Sequence, residues 1–290
     1  MMYSKILIPL DGSKLSEQIL PYARLLAEAF GIPVELLRVN DPASMTPFAP
    51  PLQGGEYLKA ISDGHFSPSI RVNTAVEGGK TAETIVSCAA LDRGTLIAMA
   101  THGLSGIQSL FLGSVAYKVV HAAANPLLLV RPVEGHDPSK PIQIKTLLVP
   151  LDGSALAEKV LPHVIALAKR IDLEVNLVQA YTVPPESYIV GDGLYMDVLR
   201  RQAEAIHKGA DDYLSAKTQE LQAEGVSRVV AVAVKGDAAE EIIDLARKTP
   251  NCLIAMSTHG RSGIGRWILG SVAAKVVHHS RNPVLVIRPV

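Results

Sequence analysis

Short, wholly apolar runs alternate along this chain with longer stretches in which apolar residues return every three or four positions. The first pattern marks buried strands and the second amphipathic helices. A strand-like run at residues 6–9 precedes a helix-like stretch over about residues 14–30, whose Leu15, Ile19, Tyr22 and Leu26 share one face. Further strands are expected at 34–39, 71–76, 96–100 and 127–130, with helices over 82–91 and 114–123 and a glycine-rich loop before the last helix. Pro21, and Pro162 in the equivalent place farther on, are expected to kink their helices. Alternating strands and helices predict an α/β chain wound on both faces of a parallel sheet, a Rossmann-like arrangement.

The pattern occurs twice. KILIPLDGS, starting at Lys5, returns as TLLVPLDGS from Thr146, an offset of 141. The 33 residues from Thr101 to Val133 return from Thr258 to Val290 at an offset of 157, with 21 identities. Two copies of this length are two domains, because solenoid units are far shorter. We expect domain 1 over residues 1–133, a polar linker with two prolines over 134–143, and domain 2 over 144–290. The change of offset puts 16 extra residues in the second copy, between the positions that match Val39 and Gly79. There, residues 194–225 read as one long helix, whereas the first copy has a proline-rich stretch followed at most by a short helix over 56–61. The last strands, 127–130 and 284–287, are expected to pair with each other within the chain and so hide two sheet edges.

Composition narrows the setting. Of 290 residues 48% are hydrophobic, and 28 basic side chains balance 28 acidic ones. That balance argues against nucleic acid as the main ligand. No apolar run approaches the ~18 residues of a membrane span, and none resembles a secretory leader, so a cytoplasmic protein is expected. Two cysteines, Cys88 and Cys252, are too few for a disulfide scaffold.

Ligands of open parallel sheets bind at the carboxyl ends of the strands. Two loops stand out there. Asp11 in Pro9-Leu10-Asp11-Gly12-Ser13 returns as Asp152 in Pro150-Leu151-Asp152-Gly153-Ser154. Each aspartate is either a helix cap or a carboxylate for a ribose hydroxyl or hydrated Mg²⁺, and the two roles are compatible. In the second loop, nine residues separate Gly103 from Gly113 and Ser114 opens a helix; Gly260, Gly270 and Ser271 repeat this. A Gly-Ser pair at a helix start offers free backbone N–H groups, a hydroxyl and the positive end of the helix dipole, a set suited to phosphate. The competing reading is a glycine-rich turn with a serine cap.

These loops, with the ending NPLLLVRPV, resemble the universal stress protein family, over essentially the whole chain apart from the linker. The resemblance implies tandem domains, each with a five-stranded parallel sheet, dimerisation through the last strand and, in many members, ATP binding. Carried over, it implies Pro9, Leu10 and Asp11 by ribose and adenine, Val39 against adenine, Met99, His102 and Gly103 along the loop, and Gly113, Ser114, Val115 and Ala116 at the phosphates. In the second copy the same roles fall on Pro150, Leu151, Asp152, Ala180, Met256, His259, Gly260, Gly270, Ser271, Val272 and Ala273. The first glycine of the family's ATP pattern is replaced by Ala100 and Ser257, which is unfavourable if that position needs positive φ. The second copy adds Arg261 where the first has Leu104, and Arg pairs well with phosphate. The expected function is therefore a regulatory stress-response protein that binds ATP, with Mg²⁺ accompanying it, better in domain 2. It is expected to work as a tandem chain or homodimer, with no catalytic residues and at most slow hydrolysis. The alternative is a degenerate module that binds no nucleotide and only dimerises or docks partners.

Other signals are discounted. Gly78-Gly79-Lys80-Thr81 imitates the end of a P-loop, but Thr74 stands where its first glycine belongs. Gly263-Ile264-Gly265 lacks the third glycine of a dinucleotide fingerprint. His278 and His279 are neighbours on a helix and point to different faces, so no metal site is expected. Neither cysteine repeats between the copies, and both read as small buried hydrophobes.

Overall fold

A computed structural model describes residues 2–42, 54–103, 112–183, 193–260 and 269–289, with the side chains of 193–196 left aside. The first half runs β1 (Lys5–Pro9), a 3-10 turn (Ser16–Ile19), α1 (Leu20–Phe30), β2 (Val34–Asn40), α2 (Gly54–His65), β3 (Val72–Gly78), α3 (Thr81–Ala90), β4 (Thr95–Ala100), α4 (Ser114–Ala122) and β5 (Leu127–Val130). The second half repeats it: β6 (Thr146–Pro150), a 3-10 turn (Ala157–Val160), α5 (Leu161–Ile171), β7 (Glu174–Tyr181), α6 (Gly193–Ala223), β8 (Val229–Lys235), α7 (Ala238–Lys248), β9 (Cys252–Ser257), α8 (Ser271–His279) and β10 (Val284–Ile287). Between β5 and β6, residues 131–145 form neither helix nor strand.

The ten strands among the described residues join one sheet in the order β3-β2-β1-β4-β5-β10-β9-β6-β7-β8. Pairing is parallel within each half and antiparallel at the centre, where Leu128 lies opposite Leu285. The expected pairing of the last strands is therefore present. It brings eight residues with every side chain buried into the middle of the sheet and, among the described residues, leaves β3 and β8 as the edges.

One apolar layer, on the α1 and α5 face, takes Ile6, Ile8 and Leu36 with Leu147, Val149 and Leu177. The other, on the face of α3, α4, α7 and α8, takes Leu7, Leu37 and Ile97 with Leu148, Val178 and Ile254. Successive strand residues enter opposite layers, as the pleat requires. Both layers run across both halves, and the halves pack as one body.

Two expectations about helices need correction. Pro21 and Pro162 do not kink long helices: each lies in the first turn of α1 or α5, after a separate 3-10 turn. A first-turn proline lacks only an N–H that no helical carbonyl would accept. The first crossover helix is also longer than the short helix expected: α2 has 12 residues, against 31 in α6. Its Leu58 and Ile61 are buried, and that apolar stripe carries the helix past the glycines at its start.

Candidate functional site

The aspartates after β1 and β6 are held by their own loops. Asp11 Oδ1 accepts from the Ser13 backbone N–H at 2.9 Å and from its hydroxyl at 2.6 Å, and Asp152 Oδ1 accepts from the Ser154 N–H at 2.9 Å. Ser13 Oγ in turn accepts from Ser16 N–H, and Ser154 Oγ from Ala157 N–H. The serine thus starts the 3-10 turn, and the aspartate is turned toward the second loop.

The other carboxylate oxygen lies against the glycine that opens the second loop. A Cβ on Gly103 would overlap Asp11 Oδ2, and one on Gly260 would overlap Asp152 Oδ2. At the far end of that loop Gly113 N–H donates to the Thr101 carbonyl at 2.9 Å, and Gly270 N–H to that of Thr258 at 2.8 Å. A Cβ on either glycine would stand 2.9 Å from that carbonyl oxygen. Space, not torsion, is the reason for glycine at all four positions, because none has positive φ.

Gly113 and Gly270 cap α4 and α8 without any side-chain hydrogen bond, and Ser114 and Ser271 are exposed on the first turn. The serines are thus not caps. The helix starts, with the positive ends of their dipoles, lie on the carboxyl side of the sheet, beside the aspartates. Val115 and Val272 are half-buried, whereas Ala116 and Ala273 are buried in the layer below.

The other expected site residues divide by depth. Pro9, Pro150, Val39 and Ala180 are half-buried at strand ends. Leu10, Leu151, Met99 and Met256 are core residues, each 5% exposed or less. His102 Nδ1 lies 3.0 Å from Thr101 Oγ1, and His259 Nδ1 lies 2.8 Å from Thr258 Oγ1, so each ring is oriented by the preceding threonine. Ala100 and Ser257 end β4 and β9 in ordinary extended backbone, so the missing glycine costs no strain there. Arg261, Leu104 and Gly263-Ile264-Gly265 lie outside the described residues. Gly79, at φ +140°, is a turn before α3. Among the described residues no three His, Cys, Asp or Glu side chains cluster as metal ligands.

Sequence comparison of the two copies missed a second shared arrangement. Glu17, 2% exposed, accepts from the Tyr57 hydroxyl at 3.2 Å and from Lys14 at 2.8 Å. Glu158 accepts from the Tyr213 hydroxyl at 2.9 Å and from Lys217 at 2.9 Å. Burial, the glutamate and the nearby Asp11 or Asp152 all push each phenol's pKa up; Arg38 opposes this at Tyr57. Each crossover helix is thereby tied to the segment that follows the aspartate loop. The glutamates are visible in the sequence at the offset of 141, but the tyrosines match at neither offset because the insertion intervenes.

A family model described as the universal stress protein family matches residues 2–131 and again 143–288. A universal stress protein of Methanocaldococcus jannaschii is 29% identical over 147 residues, half of this chain and 82% of that protein. Universal stress protein E of Escherichia coli is 32% identical over 142 residues, 47% of this chain and 42% of that one. Among solved structures, a universal stress protein from Archaeoglobus fulgidus covers 99% of this chain and 98% of its own, with TM-score 0.67 and 19% identity. A functionally unknown protein from Pseudomonas aeruginosa covers 99% and 93%, with TM-score 0.70 and 16% identity. None of the helices among the described residues is long and apolar enough to cross a membrane.

Proposed function

Because the chain belongs to the universal stress protein family, with one family unit in each half, we propose that it is a regulatory stress protein that binds adenine nucleotide at the carboxyl ends of its strands. One repeated observation carries this reading. In each half a carboxylate is packed against the opening glycine of a loop that ends at a helix start without a side-chain cap. The half-buried Val39 and Ala180 give the adenine an apolar seat at the strand ends. The aspartate accepts from a ribose hydroxyl, and the helix N–H groups with Ser114 or Ser271 take phosphate. When ATP is bound, Mg²⁺ neutralises part of the triphosphate charge.

Half 2 is the better site for Mg-ATP in this reading. Its crossover is the longer helix, and Arg261 adds a cation in the phosphate loop. Turnover at ordinary enzyme rates is not expected. The strand edge through which the family resemblance implies dimerisation is occupied within the chain by β5 and β10, so a homodimer needs another surface.

The test is calorimetric titration of nucleotide-stripped protein with Mg-ATP, beside D152A and G270A. Micromolar binding weakened by both variants supports the reading. An absence of heat with ATP, ADP and AMP alike moves the protein to the interaction-module alternative.

A further inference from the structure

The two halves differ at the tip of their second strand. Arg38 on β2 immediately precedes Val39 and lies opposite Val76; Gln179 takes its place on β7, immediately before Ala180 and opposite Ala233. The Arg38 guanidinium lies against the first loop, where a Cβ on Gly12 would come within 2.9 Å of Nη1. Its stem lies against the first turn of α2, where a Cβ on Gly54 would stand 3.3 Å from Cγ. Gly12 has φ +86° and its counterpart Gly153 φ +82°, so the turn itself calls for glycine in both halves, and in half 1 the absent side chain also leaves space for Arg38.

Arg38 Nη1 is buried and has no hydrogen-bond partner, although the side chain as a whole is only half-buried. A buried donor without a hydrogen-bond partner carries a desolvation cost, so this atom has an unmet demand for an acceptor. Gln179 is 7% exposed, and its Oε1 also lacks a partner. The same spot in both halves therefore holds an unsatisfied polar atom, cationic in one half and neutral in the other.

In a doubly wound sheet the residues beside the first β–α loop read the ribose edge of a bound nucleotide. A carboxylate there accepts from a ribose hydroxyl, and an arginine pairs with a phosphate esterified to it. We propose that half 1 selects an adenine nucleotide with an additional phosphate on its ribose 2′ or 3′ oxygen, read by Arg38, whereas half 2 takes the unmodified ribose. This rests on the nucleotide reading above. Selection has a repulsive side as well: Asp152 faces such a phosphate with no cation at position 179, while Arg38 offsets the charge of Asp11.

Binding of AMP, adenosine 2′,5′-bisphosphate and adenosine 3′,5′-bisphosphate to the full chain, to R38Q and to R38K tests this. R38Q copies the residue that half 2 already carries at this register, and its AMP binding reports that the site is intact. One bisphosphate is expected to bind one site per chain roughly tenfold or more tighter than AMP, as a charge-assisted hydrogen bond allows. R38Q should lose that preference and R38K should keep most of it. Whichever bisphosphate binds identifies the ribose oxygen that Arg38 faces. A wild-type chain that binds AMP without preferring either bisphosphate, or a preference that survives R38Q, overturns this inference and leaves the nucleotide reading standing. A chain that binds none of the three overturns this inference, and the nucleotide reading falls with it only if Mg-ATP and ADP also give no heat.

Discussion

Gly103 and Gly260 owe their place to a carboxylate. Their backbones need no positive φ, yet any side chain would collide with Asp11 or Asp152. The sequence marks these glycines by their repetition, but it suggests a torsional cause, and the same reasoning makes Ala100 and Ser257 look more damaging than their extended backbone allows. Gly260→Ala is therefore expected to push the Asp152 carboxylate out of its seat. Mg-ATP affinity at half 2 should fall about tenfold or more while the urea midpoint moves little, because the collision is at the surface end of the fold. An unchanged affinity would mean that the carboxylate is not part of the site. Asn125 is a second residue whose role is written only in three dimensions. Its amide reaches the carbonyls of Ala89, Asp92 and Thr95, joining the turn before β5 to the turn before β4.

At the scale of elements, the repeated ending RPV proves to be a pair of reciprocal helix caps. Arg131, just after β5, donates to the His278 carbonyl at the end of α8. Arg288, just after β10, donates to the Val120 and His121 carbonyls at the end of α4. Each half thus caps a helix of the other, where the negative end of the dipole favours a cation. Arg288→Ala should cost about 1–3 kcal/mol through the lost bonds to partly buried carbonyls. Arg131→Ala should cost somewhat less, and urea unfolding of the two variants checks both. Equal stability with wild type would show the caps to be dispensable. Strand and helix placement was largely legible in the sequence because apolar periodicity and burial coincide. The first-turn prolines and the full length of α2 were not, since the one depends on a preceding 3-10 turn and the other on burial against the sheet.

At the scale of the molecule, the halves share a sheet and both apolar layers, so a single cooperative unfolding transition is expected. One contact between them is expected to make that transition pH-dependent. Tyr3, ahead of β1, is 1% exposed, stacks edge-on against Phe30 and places its hydroxyl 2.8 Å from His163 Nδ1 on α5. Burial pushes His163 down to about 4, below the ~6.5 of an unfolded chain. The neutral ring is thus favoured in the fold. Its contribution is complete above about pH 6.5 and is lost as pH falls toward 4, at about 1.4 kcal/mol per unit. Between pH 6.5 and 5 the wild type should lose about 2 kcal/mol more than His163→Gln. Parallel urea titrations that show the same pH slope for both would rule out this residue as the source.

Much of this protein is determined by the sequence alone: the doubling, the α/β order, the two repeated loops at the carboxyl ends of the strands and the pairing of the last strands. These rest on local periodicity and on internal repetition, which a linear text records. The tertiary structure decided the rest. It set Asp11 against Gly103, exchanged arginine caps between halves, brought Tyr57 and Tyr213 to equivalent glutamates across an insertion, and left Arg38 Nη1 beside Gly12 without a hydrogen-bond partner. Each of these joins residues far apart in the chain, where the energetics depend on distance and burial that no local pattern encodes.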